Sequence, residues 1–486
     1  MSEVKKIFNW VNGESVLQNS HETEWLKKYD PHSGNLQALF VDTSKQNLEF
    51  AIDKAESAFS SWSSLTSVNR GQILMNFADQ MKKHRNELAE CVASETGKNI
   101  PDADGEVTGS IMQAEFFASE GMRLYGQTLN SSAQGKTSFT IRQPHGVAAL
   151  IVPANTPIAN IAWKIFPALI CGNTIVLKSS EDAPEVASLM GVLSKKAGLP
   201  DGVLNIIHGK GEKSGAMLVD DPRIKVISFT GSTIVGQKIA DSANRRLARV
   251  SLELGGKNPF VVCEDADIDN AINWSIKSAF SNAGQRCASG SRIIVFQEIY
   301  EKFKEKLILK TKSLKLGIDS DCDLGPVINK KQHLNILKVI QSSPLDNGNI
   351  LCGGGIPEDE KLSHGYYIEP TIIEGLDENS FINQNEIFGP VATLSMVQDI
   401  EHALEVANNS SYGLTSSIHT KDIDRAIWFA KNIRSGVANI NCGTYGSEAH
   451  MPFGGFGLSG NGSREPGTEA IGFYSELKNI SILSIE

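Results

Sequence analysis

Cys287 lies in a window of small and polar residues that could serve a nucleophilic thiol. The window reads Asn282-Ala283-Gly284-Gln285-Arg286-Cys287-Ala288-Ser289-Gly290. Small side chains on both sides would let a ligand approach the sulfur, and Arg286 would favour the thiolate, which is the reactive form. The same window also suits an inert, buried cysteine, so it does not decide between the two interpretations by itself.

A second candidate is Glu253, a carboxylate between two leucines in Leu252-Glu253-Leu254-Gly255-Gly256-Lys257-Asn258. Charged groups in buried strands need a partner or a chemical task. A catalytic base is one interpretation of Glu253, and a solvent-facing or salt-bridged glutamate is the other.

A third candidate is the loop Thr230-Gly231-Ser232-Thr233-Ile234-Val235-Gly236, between a predicted strand and a predicted helix. Glycine lets the backbone approach a ligand closely, and the free N–H groups of a helix N-terminus suit a phosphate. The spacing is not Gly-x-Gly-x-x-Gly, so the ordinary dinucleotide fingerprint is absent. Alone, the loop fits a plain helix start equally well.

The elements that must position these residues alternate between strands and helices from Gly146 onward. Strands are predicted at 147–152, 174–177, 203–207 and 225–229, and helices up to 170 and at 185–197, 212–219 and 234–244. This alternation implies a parallel sheet covered on both faces. Ligands of such sheets bind beyond the carboxyl ends of the strands, here the loops after Val152, Leu177 and Phe229.

The flanking regions carry other patterns. Residues 47–124 are predicted to be helical, because apolar residues recur there at steps of four and seven. A second α/β pattern begins near Asn258, with strands predicted at 260–262, 292–296 and 391–396. Residues 475–486 are predicted to form a terminal strand, which could pair with another subunit.

Taken together, the motifs closely resemble those of the aldehyde dehydrogenase superfamily, from about Phe8 to Leu483. They occur in the family's order, and Glu253 and Cys287 are 34 residues apart (287 − 253), as the family pattern has them. The matching stretches are residues 153–157, 172–178, 229–236, 253–258, 284–287, 386–390 and 452–455.

The resemblance implies an α/β fold of three parts. Residues 1–121 and 143–253 would form a Rossmann-like NAD-binding domain, and residues 254–450 an α/β catalytic domain. Residues 122–142 and 467–486 would form a small β oligomerisation element. Homodimers or homotetramers follow from the same resemblance.

The implied reaction is NAD-dependent oxidation of an aldehyde to the carboxylic acid. Cys287 would attack the aldehyde as a thiolate and become a thioester. The side-chain amide of Asn155 and the backbone N–H of Cys287 would stabilise the oxyanion, and Glu253 would activate the hydrolytic water.

The resemblance also implies the cofactor contacts, which are Lys178, Glu181, Gly231, Ser232, Gly236, Glu386 and Phe388. Gly231 and Ser232 resemble the pyrophosphate turn, and Glu386 the nicotinamide-ribose contact. A carboxylate at Glu181 would accept both adenosine-ribose hydroxyls and repel a 2′-phosphate, so NAD is expected over NADP.

The substrate side departs from the family pattern, because Ala154 and Thr156 stand where the family usually has an aromatic pair. A wider or more polar tunnel is expected there. Arg286, together with residues 441–448, is similar to branches that oxidise semialdehydes. Arg286 would either anchor the distal carboxylate or enter a structural salt bridge. The predicted substrate residues are Arg286, Thr156, Trp163 and Thr444.

Two rival interpretations remain. One is a CoA-acylating semialdehyde dehydrogenase, a branch that also has arginine beside the cysteine but typically lacks a glutamate at the position of Glu253. The other is a non-catalytic protein that kept the fold. The joint presence of Cys287, Glu253 and Asn155 argues against the second.

The composition of the chain disfavours several classes of function and location. The net charge of -10 disfavours binding to nucleic acid or anionic membranes. The 7 cysteines are scattered, without metal-site spacing, so neither a disulfide framework nor a metal site is expected. Since no signal peptide or bilayer-spanning stretch is recognised, a soluble cytoplasmic protein is expected.

Overall fold

The structure is a computed structural model that describes residues 4–16 and 24–484. Those parts of the predicted spans 1–121 and 467–486 that fall on residues 1–3, 17–23, 485 and 486 lie outside the described residues. The strand predicted at 475–486 therefore loses its last two residues from the description. The N-terminal segment, where no signal peptide is expected, loses its first three.

The strands of the described chain are β1 (Lys5–Ile7), β2 (Trp10–Val11), β3 (Glu14–Ser15), β4 (Trp25–Tyr29), β5 (Leu36–Val41), β6 (Thr128–Leu129), β7 (Lys136–Pro144), β8 (Val147–Ile151), β9 (Thr174–Lys178), β10 (Leu204–Ile207), β11 (Ile224–Thr230), β12 (Arg249–Glu253), β13 (Pro259–Val262), β14 (Arg292–Phe296), β15 (Asn349–Cys352), β16 (Thr371–Glu374), β17 (Val391–Val397), β18 (Tyr412–Gly413), β19 (Thr415–His419), β20 (Val437–Ile440), β21 (Phe456–Gly457) and β22 (Ser475–Leu483).

The α-helices are α1 (Lys45–Ser64), α2 (Ser67–Lys83), α3 (Arg85–Thr96), α4 (Ile100–Glu120), α5 (Pro157–Ile170), α6 (Pro184–Lys196), α7 (Ala216–Asp220), α8 (Thr233–Asn244), α9 (Ile268–Phe280), α10 (Tyr300–Lys312), α11 (Lys330–Ser342), α12 (Phe381–Gln384), α13 (Ile400–Asn408), α14 (Ile423–Asn432) and α15 (Glu469–Tyr474).

A seven-stranded sheet in the order β12-β11-β8-β9-β10-β2-β3 forms the first α/β unit. The strands from β12 to β10 in this order pair in parallel, as predicted, whereas β2 and β3 add an antiparallel edge. Strands β8, β9 and β10 are buried along their whole length. Helices α2–α6 cover one face of the sheet in one hydrophobic cluster, and helices α1, α7 and α8 cover the other face in a second cluster. Because both faces are covered, the sequences of the central strands are almost continuously apolar.

The helical prediction for residues 47–124 is confirmed in the form of α1 to α4. Each connection carries a local stop or start signal. The side chains of Ser44, Thr66 and Asn99 accept hydrogen bonds at the starts of α1, α2 and α4. Gly97 ends α3 in the left-handed conformation.

The helix predicted at 212–219 differs in its first half, where residues Gly211–Gly215 form a π-helical turn before α7. Two carboxylates hold the start of this turn. Asp42 accepts a hydrogen bond from the N–H of Lys210, and Glu181 accepts one from the N–H of Gly211. Both contacts come from distant parts of the chain, so periodicity in the local sequence could not reveal them.

A second seven-stranded sheet has the order β15-β16-β17-β14-β13-β19-β20 and is parallel except for β15. It contains the predicted strands at 260–262, 292–296 and 391–396. All its strands fall within residues 254–450, the span predicted for the catalytic domain.

A third, antiparallel sheet has the order β22-β7-β6 and lies where the oligomerisation element is predicted. β22 pairs with β7 from Ser475 against Pro144 to Leu483 against Lys136. β7 therefore continues two residues past the predicted boundary at 142. The domain bounds themselves stay a prediction. No helix of the described chain has both the length and the apolar character needed to cross a membrane.

Candidate active site

Cys287 lies in a tightly held turn between α9 and β14. The turn begins at Asn282 and Ala283, whose φ angles of 55° and 52° place two non-glycine residues in the left-handed region. Such conformations cost free energy and concentrate at functional sites. The side chain of Asn258 donates to the carbonyl of Cys287 at 2.7 Å and to that of Ser289 at 2.8 Å. The turn thus presents a half-buried sulfur from a fixed backbone.

Two cavities meet at Cys287. The first cavity, of about 370 Å³, is also lined by Gly231, Ser232, Glu253 and Glu386. The second cavity, of about 470 Å³, extends from Cys287 along Arg286 and the face of α4. The residues that line both are Asn155, Thr156, Ala159, Trp163, Cys287 and Phe453. The sulfur therefore lies in a shared wall, accessible from two sides.

Asn155 follows the carboxyl end of β8 and lines both cavities beside the sulfur. Its side-chain Nδ2 donates to the carbonyl of Gln285 at 2.9 Å. Its own carbonyl accepts from Lys98 Nζ at 2.7 Å and from Asn282 Nδ2 at 3.0 Å. Since an amide has two N–H groups, one is left for an oxygen that develops negative charge near Cys287.

Glu253 is the last residue of β12 and lines the first cavity. Its side chain is buried, and neither carboxylate oxygen has a hydrogen-bond partner among the described residues. Burial, reinforced by the neighbouring Glu465, raises the pKa of Glu253 well above its ordinary value, against opposing effects of Lys164 and Arg464. This shift favours the protonated form of Glu253.

Behind Glu253 lies a buried polar network that sequence analysis did not identify as functional. Lys164 Nζ donates to Ser228 Oγ at 2.6 Å and to Glu465 Oε2 at 2.8 Å. Glu465 Oε1 accepts from Tyr474 Oη at 2.9 Å. The available signal was Lys164 itself, a charged residue inside the otherwise apolar helix α5.

The thiol of Cys287 is also protonated in this state. Burial is the main cause that raises its pKa to about 12, and the carboxylates of Glu386 and Glu253 add to the effect. A backbone hydrogen bond from Ala288 and the charge of Arg286 act in the opposite direction. Arg286 therefore lowers the pKa of Cys287 in the predicted direction, but burial raises this pKa by more.

The loop after β11 has the features of a phosphate site. Ser232 is the residue before α8, and its side chain makes no capping hydrogen bond. The N-terminal N–H groups of α8 therefore have no side-chain cap, and Gly231 and Ser232 line the first cavity. Such a helix start favours an anion such as a pyrophosphate.

Glu386 and Phe388 form the opposite wall of the first cavity. Glu386 Oε1 accepts from the N–H of Gly256 at 3.0 Å, and a Cβ on Gly255 would lie only 2.2 Å from Glu386 Oε2. Gly255 is therefore required for this approach. Burial raises the pKa of Glu386 to about 7, opposed by the Gly256 hydrogen bond and Lys257. Phe388 has a left-handed φ of 58°.

Lys178 and Glu181 lie at the carboxyl end of β9, as predicted, outside the residues that line the first cavity. Lys178 is buried, and desolvation lowers its pKa to about 8. Glu181 is exposed, and its Oε1 accepts from the N–H of Gly211 at 2.9 Å. The hydrogen bond from Gly211 thus holds one oxygen of Glu181 in place. The carboxylate lies at the protein surface, just after the end of β9.

Gly236, which is predicted as a cofactor contact, packs against the chain after β12, and its contact with the cofactor stays a prediction. It is buried within α8, and an added Cβ would lie 2.5 Å from Leu254 Cδ2. Gly236 lets α8 pack closely against the chain after β12. The structure thus gives Gly236 a packing role at the start of α8.

Arg286 lines the second cavity. Its guanidinium lies 4.9 Å from the centre of the Tyr445 ring, and its Nε donates to Ser281 Oγ at 3.2 Å. Among the described residues, no carboxylate lies within 4.0 Å of the guanidinium. Arg286 therefore does not form the alternative structural salt bridge with any described residue.

The other predicted substrate residues divide into two groups. Thr156 and Trp163 line both cavities, and Trp163 packs edge-on against Phe453 with ring centres 5.4 Å apart. Thr444 is fully buried and donates its hydroxyl to the carbonyl of Ala288 at 2.6 Å, so it supports the turn after Cys287. It lines neither cavity, and its predicted contact with substrate stays a prediction. Ala154 likewise lies in the hydrophobic core.

Comparisons with known proteins identify the family of the chain. Residues 17–480 match the family model "Aldehyde dehydrogenase family". Alpha-ketoglutaric semialdehyde dehydrogenase of Bacillus subtilis is 37% identical over 99% of each chain. D-glyceraldehyde dehydrogenase (NADP(+)) of Picrophilus torridus is 35% identical over 97% of this chain and 95% of its own.

A crystal structure of betaine aldehyde dehydrogenase from Staphylococcus aureus in complex with NAD+ superposes with a TM-score of 0.95. It is 32% identical and covers 98% of this chain and 94% of its own. The fold and the thiol-centred site define an NAD(P)-dependent oxidoreductase that acts on aldehydes. The chain belongs to the aldehyde dehydrogenase family.

Proposed function

We propose that the chain oxidises a semialdehyde, an aldehyde with a distal carboxylate, to the dicarboxylic product through a thioester on Cys287, with NAD as the preferred cofactor. The observation that carries this proposal is the position of Cys287 between two unlike cavities. The first ends at an uncapped helix N-terminus, and the second contains Arg286 without a carboxylate partner.

In the proposed mechanism, the sulfur of Cys287 loses its proton and bonds to the aldehyde carbon. The free N–H of Asn155 and the backbone N–H of Cys287 stabilise the charge on the former carbonyl oxygen. Each such donor is typically worth about 3–4 kcal/mol. Bound in the first cavity, NAD supplies the hydride acceptor that makes this an oxidation.

Hydrolysis of the thioester completes the reaction. Glu253, once ionised, takes a proton from a water molecule whose oxygen bonds to the acyl carbon. The carbon–sulfur bond then breaks, and Cys287 regains a proton. The buried position of Glu253 on the first cavity supports this role, because its unpaired oxygens leave both acceptor sites open to water.

The preference for semialdehydes rests on Arg286 and on the name of a relative. A guanidinium with no carboxylate partner, held over Tyr445, can form charge-assisted hydrogen bonds with an incoming carboxylate. The similar protein of Bacillus subtilis is named for alpha-ketoglutaric semialdehyde, which carries such a group.

A panel of aldehydes tests this proposal. For carboxylated and neutral aldehydes of equal chain length, Arg286→Ala should lower kcat/KM about 100-fold for the carboxylated set only. Cys287→Ala should abolish turnover of both sets. Cys322→Ala, a half-buried cysteine that lines neither cavity, is the matched control and should be neutral. Equal losses for the two sets in Arg286→Ala would exclude the anchor.

The preference for NAD over NADP rests on Glu181. Its carboxylate is fixed by Gly211 at the end of β9, where it would repel a 2′-phosphate. Glu181→Gln should therefore improve kcat/KM for NADP relative to NAD. A wild-type kcat/KM that favours NADP would contradict the proposal.

The CoA-acylating alternative needs no base for deacylation, whereas this chain has Glu253 on the first cavity. Repeated turnover in the absence of CoA would support hydrolysis, and a single turnover would support CoA transfer. We also propose a homodimer or homotetramer and a cytoplasmic location, the latter because the 7 cysteines are all unpaired and suit a reducing compartment.

A further inference from the structure

We infer that Lys98 and Glu106 form a buried ion pair that positions Asn155 for the formation of the thioester. This inference rests on the proposed function, because it takes Asn155 as a donor to the oxyanion. It adds two residues that touch neither the sulfur nor the cofactor and that act through Asn155.

The contacts of the pair enclose Asn155 from two directions. Lys98, in the link between α3 and α4, donates from Nζ to Glu106 Oε2 and, at 2.7 Å, to the carbonyl of Asn155. The other oxygen of Glu106 accepts from the N–H groups of Ile158 at 3.0 Å and Ala159 at 3.2 Å. The pair therefore holds both the carbonyl of Asn155 and the first turn of α5 that follows it.

The energetic cost of the pair indicates that it has a purpose besides stability. The side chains of Lys98 and Glu106 are only 4% and 6% exposed. Desolvating two charges offsets most of their attraction, and well-packed apolar residues often replace such pairs without loss of stability. Desolvation lowers the pKa of Lys98, although Glu106 opposes this effect.

The second cavity is lined by two cations, Lys98 and Arg286, and by the carboxylates of Asp102, Glu106 and Glu448. Lys98 and Glu106 both line this cavity, but together they carry no net charge. Arg286 is the lining cation with no carboxylate within reach among the described residues. Lys98 is therefore engaged with Asn155 and Glu106, while Arg286 stays available to a substrate.

The test is a paired substitution, Lys98→Met together with Glu106→Leu, which leaves no charge unpaired. We expect the variant to fold with a lowered Tm, because apolar groups replace the charges but leave the N–H groups of Ile158 and Ala159 without their acceptor. We expect kcat for the aldehyde to fall about 10- to 100-fold, because small displacements of catalytic donors have such effects. The KM for NAD should stay within about twofold, since the pair does not line the first cavity.

The matched control is Arg85→Met together with Asp104→Leu. That ion pair joins α3 to α4, on either side of the link that contains Lys98, but is exposed at 45% and 34%. It should leave kcat unchanged. Glu106→Gln, which preserves shape, provides a second variant if the double substitution does not fold, and it should show the same loss of kcat.

A double-mutant cycle with Asn155→Ala separates positioning from a merely structural role. Asn155→Ala alone should lower kcat about 10²- to 10³-fold. Removal of the Lys98–Glu106 pair in that background should cause little further loss, because the donor that it positions is already gone. Full additivity, or wild-type kcat in the folded pair variant, would overturn the inference. Undiminished turnover of Asn155→Ala would instead refute the proposed role of Asn155.

Discussion

Glu253 and Cys287 lie in a buried site that favours the protonated form of each. Burial raises the pKa of both groups, and the charge of Glu253 contributes to the raised pKa of Cys287. Both must lose a proton during the proposed reaction, but at different stages. Before substrate and cofactor bind, the raised pKa values favour the thiol form of Cys287 and the acid form of Glu253.

Glu253→Gln should separate the two halves of the reaction. The amide keeps the shape of the side chain but cannot take a proton from water, so the thioester should form and persist. We expect a burst of about one reduced cofactor per site, followed by turnover roughly 10²- to 10⁴-fold slower. Stopped-flow absorbance and the mass of the acylated chain would measure both.

The exposed Glu301 provides the control for this experiment, and Glu301→Gln should turn over normally. A Glu253→Gln enzyme with full steady-state turnover would contradict the role of base. Absence of the burst would show that Glu253 is needed before the thioester forms.

The stability of the protein should depend on pH through the same group. The raised pKa of Glu253 means that the folded state binds a proton that the unfolded chain releases near pH 4.3. This contribution to stability is complete below that pH and is lost as the pH rises towards the folded pKa. Glu253→Gln removes the ionisation, so its Tm should exceed that of the wild type by more at pH 8 than at pH 5. A constant Tm difference in differential scanning calorimetry would contradict this.

Sequence patterns identified Cys287, Glu253 and Asn155, and the structure places all three around one junction. They did not identify Lys164 and Glu465, or Lys98 and Glu106, as functional pairs. Lys164 and Glu465 are 301 residues apart in the chain. A lone charge in an apolar helix shows that a partner must exist, but only tertiary packing shows which residue it is.

At the scale of elements, the register of the first sheet explains why distant loops share one site. Ile151 pairs with Lys178 and with Phe229, and Thr230 pairs with Glu253. The ends of β8, β9, β11 and β12 therefore lie along one edge. The alternation of strands and helices predicted this edge, since parallel strands bring their carboxyl ends together. It could not predict the exact packing of α8, which depends on the contact between Gly236 and Leu254.

Gly236→Ala tests that packing. The new methyl group would press on Leu254 and displace α8, with an expected loss of about 1–3 kcal/mol in the free energy of unfolding. Chemical denaturation would measure this loss. Gly236→Ala combined with Leu254→Ala should lose less free energy of unfolding than the sum of the two single losses, because the new methyl group fills part of the space that Leu254 leaves.

Gly215→Ala is a control, because nothing lies within 4 Å of a Cβ at Gly215. If Gly236 contacted the cofactor directly, Gly236→Ala would raise the KM for NAD without changing stability, and the packing role would be refuted.

At the scale of the whole molecule, β22 is a long strand at the edge of its sheet, and no described strand pairs with its other side. Leu477 and Leu483 are 61% and 60% exposed, and an alternation of two places them on the same face. Such an edge invites pairing with another chain. These features support the proposed oligomer.

Leu477→Asp together with Leu483→Asp should therefore shift the oligomer towards monomers, because charges would replace apolar contacts. Light scattering coupled to gel filtration would measure the mass. Asn479→Asp adds one charge to the same face between the two leucines and should have a smaller effect. A wild-type monomer, or an oligomer unaffected by the double substitution, would contradict the proposal.

The wall that the two cavities share has a consequence for the order of events during turnover. Because the sulfur lines both cavities, the proposed dinucleotide and the acid product would leave through different cavities. In the proposed reaction, the first cavity, once vacated by the dinucleotide, would admit the water that releases the acid.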